Sequence, residues 1–398
     1  MTKDKLALYG GPPVRKSYLP YGKQWLDPDD IQAVMETLKS DWLTTGPRID
    51  RFERAIARYV NTTYAVAFSS GTAALHAACF AAGIKPGDEV ITSPLTFAAS
   101  ANCVLYVGGS PVFADVDLKT YNISPSSIRA LINEKTRAII TVDFTGQPAE
   151  YEEILKIAKE NNLIVIGDAA HALGAEYKGA MVGSLCDMTM FSFHPVKHIT
   201  TGEGGVITTN NALYYEKLKL FRSHGITRDS DQLIDHPGDW YYEMQSLGYN
   251  YRITDIQASL GFSQLNKLDT FLKKRRDYAD AYNQAFEKLE GTILPYQSKS
   301  TLSSWHLYIL RLDLQKLSVD RALIYKALQR ENIGVNVHYL PVYLHPYYQK
   351  LGYQKGICPQ AEAIYHSIIT LPLFPKMSQQ DVEDVIHGVK KVISIMKK

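Results

Sequence analysis

Cysteine is scarce in this sequence: four of 398 residues, Cys79, Cys103, Cys186 and Cys358, each standing alone. Without a CxxC pair there is no redox motif and no zinc ribbon to argue from, and isolated cysteines of this kind fit reduced, buried thiols. Charge of one sign is missing as well. Lys and Arg number 43 against 41 Asp and Glu, a net of +2, which speaks against nucleic acid or a membrane surface as partner. No stretch reaches the roughly 18 consecutive apolar residues of a membrane-spanning helix. The opening MTKDKLALYGGPPVRKS has no apolar run of signal-peptide length, so a cytoplasmic location is expected. Gly and Pro, at 26 and 18, are too few for a disordered or collagen-like chain. Internal repeats and low-complexity segments are absent.

What remains is an ordinary globular composition, 45% hydrophobic and 21% charged, long enough for two or three domains at about 150 residues each. Between residues 50 and 225 short apolar runs alternate with helical stretches. Tyr64 to Phe68, Glu89 to Thr92, Pro111 to Ala114, Arg137 to Val142 and Leu163 to Ile166 read as strands. Continuous apolar runs suit strands covered on both faces, and strands alternating with helices imply a mainly parallel sheet. Met188 to Phe193 and Gly205 to Asn210 are two more strands, followed by a helix that Gly225 caps. Residues 226–246, polar and aromatic, read as an irregular loop. A long helical pattern from about 253 runs through Lys273 to Asp277 (KKRRD), whose charges predict a solvated face. The boundary is placed there, giving a large domain at 1–265 and a small one at 266–398. Within the small one, His306 to Leu312 and Gly334 to His338 read as strands.

Three segments carry chemistry. The run LIVIGD ends in Asp168 at the carboxyl end of a strand, where ligands sit in open α/β sheets. It either caps the next turn or pairs with a bound cation such as a protonated pyridine nitrogen. Lys197 lies between two strands in FSFHPVKHITTGEGG, five residues after Ser192. A lysine there is either a surface charge or one with a lowered pKa, held for covalent attachment to a carbonyl group. Ser69-Ser70-Gly71-Thr72-Ala73 follows a strand and opens a helix. It is either a plain N-cap or a phosphate site. GEGG precedes a strand, so it is no dinucleotide fingerprint, and no P-loop is present. His194 and His198 lack a third ligand, so no metal is expected. Phe97, taken alone, reads as core.

A strand-end Asp, a later Lys in S-x-x-x-x-K and a small-residue helix start together resemble the fold-type I enzymes that use pyridoxal phosphate. SSGTAAL, GDEVITSPLTF, DAAHALGAEYKG, GYNYRITDIQAS and SWHLYIL are similar to motifs of the DegT/DnrJ/EryC1/StrS sugar aminotransferases, over nearly the whole chain. The resemblance implies an aspartate aminotransferase-like α/β fold, with a mainly parallel mixed sheet between helices and a smaller α+β C-terminal domain. It makes Lys197 the catalytic and cofactor-bearing lysine and Asp168 the partner of the pyridine nitrogen. Phe97 becomes the ring that stacks on the cofactor, and Thr72, Ala73 and Ser192 the phosphate cup. His171 stands where many relatives carry Gln, which puts that contact with the cofactor in question. Asn250 and Arg252 resemble residues that a partner subunit contributes, to the phosphate and to the amino donor's carboxylate, which implies a homodimer with shared sites. Trp305, His306, His338 and Tyr339 match positions near the sugar nucleotide.

Within the family, FSFHPVKHITTGEGG, KLFRSHG and VHYLPVY resemble the branch acting in pseudaminic acid synthesis. That branch moves the amine of L-glutamate to C4 of UDP-2-acetamido-2,6-dideoxy-4-hexulose, giving UDP-4-amino-4,6-dideoxy-N-acetyl-β-L-altrosamine. A UDP-4-keto-pentose is the alternative acceptor. The dehydratase branch carries His in place of Lys197. A regulator that binds the cofactor without turnover would bring a fused helix-turn-helix, for which the early segment is too short, and a nicotinamide enzyme lacks its glycine fingerprint.

Overall fold

A computed structural model describes residues 5–398. Residues 1–4, the start of the proposed large domain, lie outside the described residues. The chain enters through α1 (Pro28–Leu38) and α2 (Pro47–Tyr59) and then alternates. It runs through β1 (Tyr64–Phe68), α3 (Gly71–Ala81), β2 (Glu89–Thr92), α4 (Ala99–Tyr106), β3 (Ser110–Phe113), α5 (Pro125–Leu131), β4 (Thr136–Val142), α6 (Tyr151–Glu160) and β5 (Ile164–Asp168). It continues with β6 (Met188–Ser192), β7 (Gly205–Thr209), α7 (Ala212–Arg222), α8 (Asp255–Leu265) and α9 (Leu268–Phe286). The seven strands form one sheet in the order β1-β7-β6-β5-β4-β2-β3. Only β7 runs against the others, pairing antiparallel with both β1 and β6.

The apolar strands are apolar because both faces are covered. Along β1, Ala65 and Ala67 face one core and Val66 and Phe68 the other, the alternation a pleated strand imposes. Phe52 and Ile56 of α2 and Ile154 and Ile157 of α6 fill the first core; Leu75 of α3, Val104 of α4 and Phe221 of α7 fill the second. Caps fix where the helices start. Asp27, Ser70, Asn211 and Thr254 each accept hydrogen bonds from backbone N–H groups of the first turn of α1, α3, α7 and α8, groups that otherwise lack partners.

The remainder holds β8 (Thr292–Ile293), β9 (Tyr308–Leu312), α10 (Arg321–Arg330), α11 (Pro346–Lys350), α12 (Pro359–Ser367), β10 (Ile368–Leu371) and α13 (Gln379–Met396). Strands β8, β9 and β10 form an antiparallel sheet with β9 central. Its core takes Tyr282 and Phe286 from α9, Val385 and Val389 from α13, and also Leu6 and Leu19 from the N-terminal segment. Another core joins Leu95, Phe113 and Phe144 to Leu307, Tyr343, Tyr348 and Ile364.

The structure departs from the sequence reading in four places. The helical pattern after residue 253 is two helices, broken between Leu265 and Leu268. Its charge run is only in part a solvated face: Lys273 and Asp277 are exposed, but Arg275 is 1% exposed. Residues 334–338 form no strand; Ile333 bridges to Leu19 and Asn336 to Thr370 instead. The 226–246 loop carries a short antiparallel pair, Ile226–Thr227 with Glu243–Met244. At its start both His224 and Gly225 take positive φ, and the N–H of Gly225 reaches back to the carbonyl of Leu220.

Candidate active site

The carboxyl ends of five parallel strands converge on one cavity of about 800 Å³. The turn after β1 supplies Ser70, Gly71 and Thr72; the segment after β2 supplies Thr96 and Phe97; Val142, Asp168 and Ser192 are the last residues of β4, β5 and β6. A ligand crevice at that edge is the rule for open α/β sheets. The opposite wall comes from the C-terminal part of the chain, at Asn336 to Leu340 and His345.

Asp168 is buried, yet no cation lies within ion-pair distance of it among the described residues. One carboxylate oxygen accepts from Ser100 Oγ at 2.5 Å and the other from the N–H of Ala170 at 3.2 Å. Burial raises its pKa, against those two hydrogen bonds and the more distant charge of Lys197. Such a carboxylate is stabilised by a positively charged partner in the cavity.

Lys197 is half-buried and lines the cavity. Its Nζ has one polar neighbour, His306 Nε2 at 3.5 Å. Burial lowers its pKa to about 8, with Asp168 raising it and Arg275 lowering it further. An amine so placed is in part unprotonated near neutral pH and can act as nucleophile and base.

Imidazoles crowd around it. The rings of His171 and His306 lie 4.3 Å apart and those of His198 and His306 5.4 Å apart. Burial holds His171, His198 and His306 well below the ordinary histidine pKa and lowers His338 to about 3. All are therefore neutral at pH 7. His171 Nε2 meets Tyr339 Oη at 3.2 Å, while Nδ1 of His171 and Nδ1 of His306 are buried without a partner.

At the start of α3, Ser70 Oγ accepts from the N–H of Ala73 at 3.1 Å. The capping alternative is therefore realised, and Ala73 does not line the cavity. The free N–H groups of that turn are those of Gly71 and Thr72, among the described residues. Strand β7 abuts this turn: a Cβ on Gly205 would come within 2.7 Å of Gly71 N and Cα. That close approach requires glycine. It also sets Ser192, paired with Gly205 in the sheet, beside the helix start, so the turn forms an anion cradle.

Phe97 is not core. It is 64% exposed at the cavity, touching Tyr339 edge-on at 6.4 Å between centroids. The structure thus brings together Lys197, Asp168, His171, Phe97, Thr72, Ser192, His338 and Tyr339. Trp305 packs on Tyr308 instead of lining the cavity. His306 stands against Lys197. Asn250 and Arg252 lie outside the cavity wall, bridged to Ser223 and Phe68. Reasoning from sequence missed Ser100, Arg275, Tyr21, Asn336 and His345. Of these, Arg275 alone left a signal, since it shares the three-to-four spacing of the buried Phe271, Leu272 and Ala279 of α9.

These residues fit pyridoxal phosphate. An unpaired carboxylate can face the ring nitrogen, and a free aromatic face can cover the ring. A helix start with unpartnered N–H groups can take the phosphate. The open Nδ1 of His171 and a half-buried amine stand ready for the oxygen and the aldehyde.

The family model described as DegT/DnrJ/EryC1/StrS aminotransferase matches residues 24–390. The spore coat polysaccharide biosynthesis protein SpsC of Bacillus subtilis is 42% identical over 381 residues, covering 95% of this chain and 98% of that protein. Among solved structures, Helicobacter pylori PseC, an aminotransferase involved in the biosynthesis of pseudoaminic acid, is 34% identical. It superposes with a TM-score of 0.89 over 95% of this chain and 100% of its own. The PLP form of Spr1654 from Streptococcus pneumoniae is 33% identical, with a TM-score of 0.88 over 95% of this chain and 99% of its own.

Proposed function

The chain belongs to the DegT/DnrJ/EryC1/StrS aminotransferase family, and from that premise we propose that it moves the amino group of L-glutamate to C4 of UDP-2-acetamido-2,6-dideoxy-4-hexulose. The fold is fold type I and the enzyme is a pyridoxal-phosphate-dependent sugar aminotransferase. The observation that carries the site assignment is the pairing, in one cavity, of a half-buried lysine amine of lowered pKa and a buried carboxylate without a cation. The choice of acceptor is supported by the likeness to PseC and by the VHYLPVY segment, whose Val337, His338, Tyr339 and Leu340 line the cavity.

Pyridoxal phosphate, when bound, supplies a sink for the electron pair left when an amino acid loses its α-proton. The chain's own groups do the rest. Lys197 would hold the cofactor covalently, and its freed amine would serve as the base and acid that moves the proton taken from the amino acid's α-carbon. Asp168 would keep a proton on the ring nitrogen, an interaction that the dry surroundings would strengthen. Gly71, Thr72 and Ser192 would hold the phosphate, Phe97 would cover the ring, and His171, whose Nε2 meets Tyr339, would offer Nδ1 to the ring oxygen.

Asn250 and Arg252 act in the neighbouring site of a homodimer, Arg252 as the partner of glutamate's carboxylate. The exposed Trp240, Met244 and Leu247 on the preceding segment, each at least 64% exposed, support that interface. His338 and Tyr339 face the sugar, with Trp305 supporting from behind. The four free, buried cysteines fit a reducing compartment, and we place the protein in the cytoplasm. No described helix is long and apolar enough to cross a membrane.

A second reading takes another nucleotide-linked keto-sugar, such as a UDP-4-keto-pentose, as acceptor. The 42% identity with SpsC, a spore coat polysaccharide protein, favours it. One experiment separates the two. The purified protein should show a yellow band that bleaches with L-glutamate, and the bleached form should recover colour on adding UDP-2-acetamido-2,6-dideoxy-4-hexulose, yielding the 4-amino sugar by mass spectrometry. Recovery only with a different keto-sugar moves the assignment to the second reading. A protein that never takes up the chromophore refutes both.

A further inference from the structure

Helix α9 delivers a guanidinium to the back of the active site. Arg275 is 1% exposed, and no carboxylate lies within ion-pair distance of it among the described residues. Its Nη1 donates instead to three backbone carbonyls: Leu373 at 2.9 Å, His306 at 3.1 Å and Trp305 at 3.3 Å. A buried charge without a counter-ion is costly, and a purely structural clamp on carbonyls could be made by a neutral donor. The residue it clamps is the one whose ring meets Lys197 Nζ.

We infer that Arg275 and His306 form a positioning pair for Lys197: the guanidinium anchors the Trp305–His306 backbone, and the anchored imidazole fixes where the Lys197 amine points. This rests on Lys197 being the cofactor lysine. The geometry assigns the ammonium form a hydrogen bond. The ammonium donates to His306 Nε2, which places the imidazole proton on Nδ1, the atom without a partner. The groups bearing on Lys197 are Asp168, His171, His198, His306, His338 and Arg275. The four histidines are neutral at pH 7, which leaves one anion and one fixed cation. Burial lowers Arg275 to about 9, so the guanidinium keeps its charge at neutral pH. That charge opposes the Asp168 carboxylate in its effect on Lys197, holding the amine closer to its uncharged, reactive form.

The test reads the amine directly. In full-length protein stripped of cofactor, the pH dependence of Lys197 acetylation is followed by peptide mass spectrometry. The wild-type midpoint should fall near 8. Arg275→Met should raise it by about one pH unit, and Arg275→Lys, which keeps the charge, should leave it nearer the wild-type value. In the reconstituted enzyme, His306→Leu should lower kcat about tenfold or more with KM for glutamate within about twofold, and His306→Gln should restore part of the loss. A folded Arg275→Met protein with an unshifted midpoint overturns the electrostatic part. Should Arg275→Met not fold, His306→Leu decides: wild-type kcat and an unshifted midpoint overturn the pair. Failure of the underlying reading shows elsewhere, as a Lys197→Ala protein that still turns over.

Discussion

Four imidazoles lie buried around one amine, and each is neutral in the fold at a pH where the unfolded chain would charge it. His171, His198, His306 and His338 all have folded pKa values depressed by burial. Between their folded and unfolded values the unfolded chain binds more protons, so stability falls as the pH drops below about 6.5. Asp143 and Asp168 act in the opposite sense. Burial raises both, Asp143 to about 7, so in acid the folded chain holds their protons more tightly. Asp143 offsets part of the histidine effect and Asp168 acts in the same sense, while the buried His76, lowered as well, adds to the histidines, so the balance still favours the unfolded state as the pH falls. Urea denaturation of the cofactor-free protein should therefore show its midpoint falling steeply between about pH 7 and pH 5. A flat midpoint over that range would mean that the histidines are solvated or already charged.

At the scale of the element, helix α3 shows how a structural feature and a binding feature share one turn. Ser70 caps the helix through Ala73 and leaves the N–H groups of Gly71 and Thr72 for an anion. Ser70→Ala should cost about 1 kcal/mol of stability, measured by denaturation. It also frees the third N–H, so affinity for inorganic phosphate or cofactor should fall by less than the stability loss alone would suggest. A loss of binding out of proportion to stability would make Ser70 itself a ligand. The same scale explains what could be read in advance. The strands were legible because each is buried on both faces, as Ala138, Ile139 and Ile140 of β4 are. Asp168 was legible because it ends such a strand, and Lys197 because it lies in the loop after one, each within a distinctive motif. Arg275 was misread because its neighbours Lys273 and Lys274 and Asp277 are charged, although Leu268, Phe271, Leu272, Ala279, Tyr282 and Phe286 set out the stripe it belongs to. Of the cavity's far wall, from Asn336 to His345, only His338 and Tyr339 were marked, through the resemblance of VHYLPVY; Asn336 and His345 gave no local signal. That wall meets the sheet edge only through tertiary packing such as the bond from Val342 N–H to the carbonyl of Pro94.

At the scale of the whole molecule, the proposed homodimer makes a prediction that one chain alone cannot meet. Lys197 stands inside the cavity, whereas Asn250 and Arg252 stand outside its wall on a segment bridged to Ser223 and Phe68. If each site takes its lysine from one subunit and its arginine from the other, the two defects complement. Lys197→Ala and Arg252→Ala homodimers should each be inactive in transamination. Unfolded together in equal amounts and refolded, half of the dimers are mixed, and each mixed dimer holds one site with both residues intact and one with neither. Activity should return to about a quarter of the wild-type value, the fraction set by two-fold symmetry and random pairing. The variants must be mixed through refolding, because a stable dimer exchanges subunits slowly. Recovery near zero, with mixed dimers demonstrated by mass-tagged subunits, would place Arg252 in the same site as its own Lys197, whereas an active Arg252→Ala homodimer would place it outside the reaction. Recovery near a quarter would tie the carboxylate-binding group to the neighbouring chain, and with it the reason that Trp240, Met244 and Leu247 lie bare on one subunit alone.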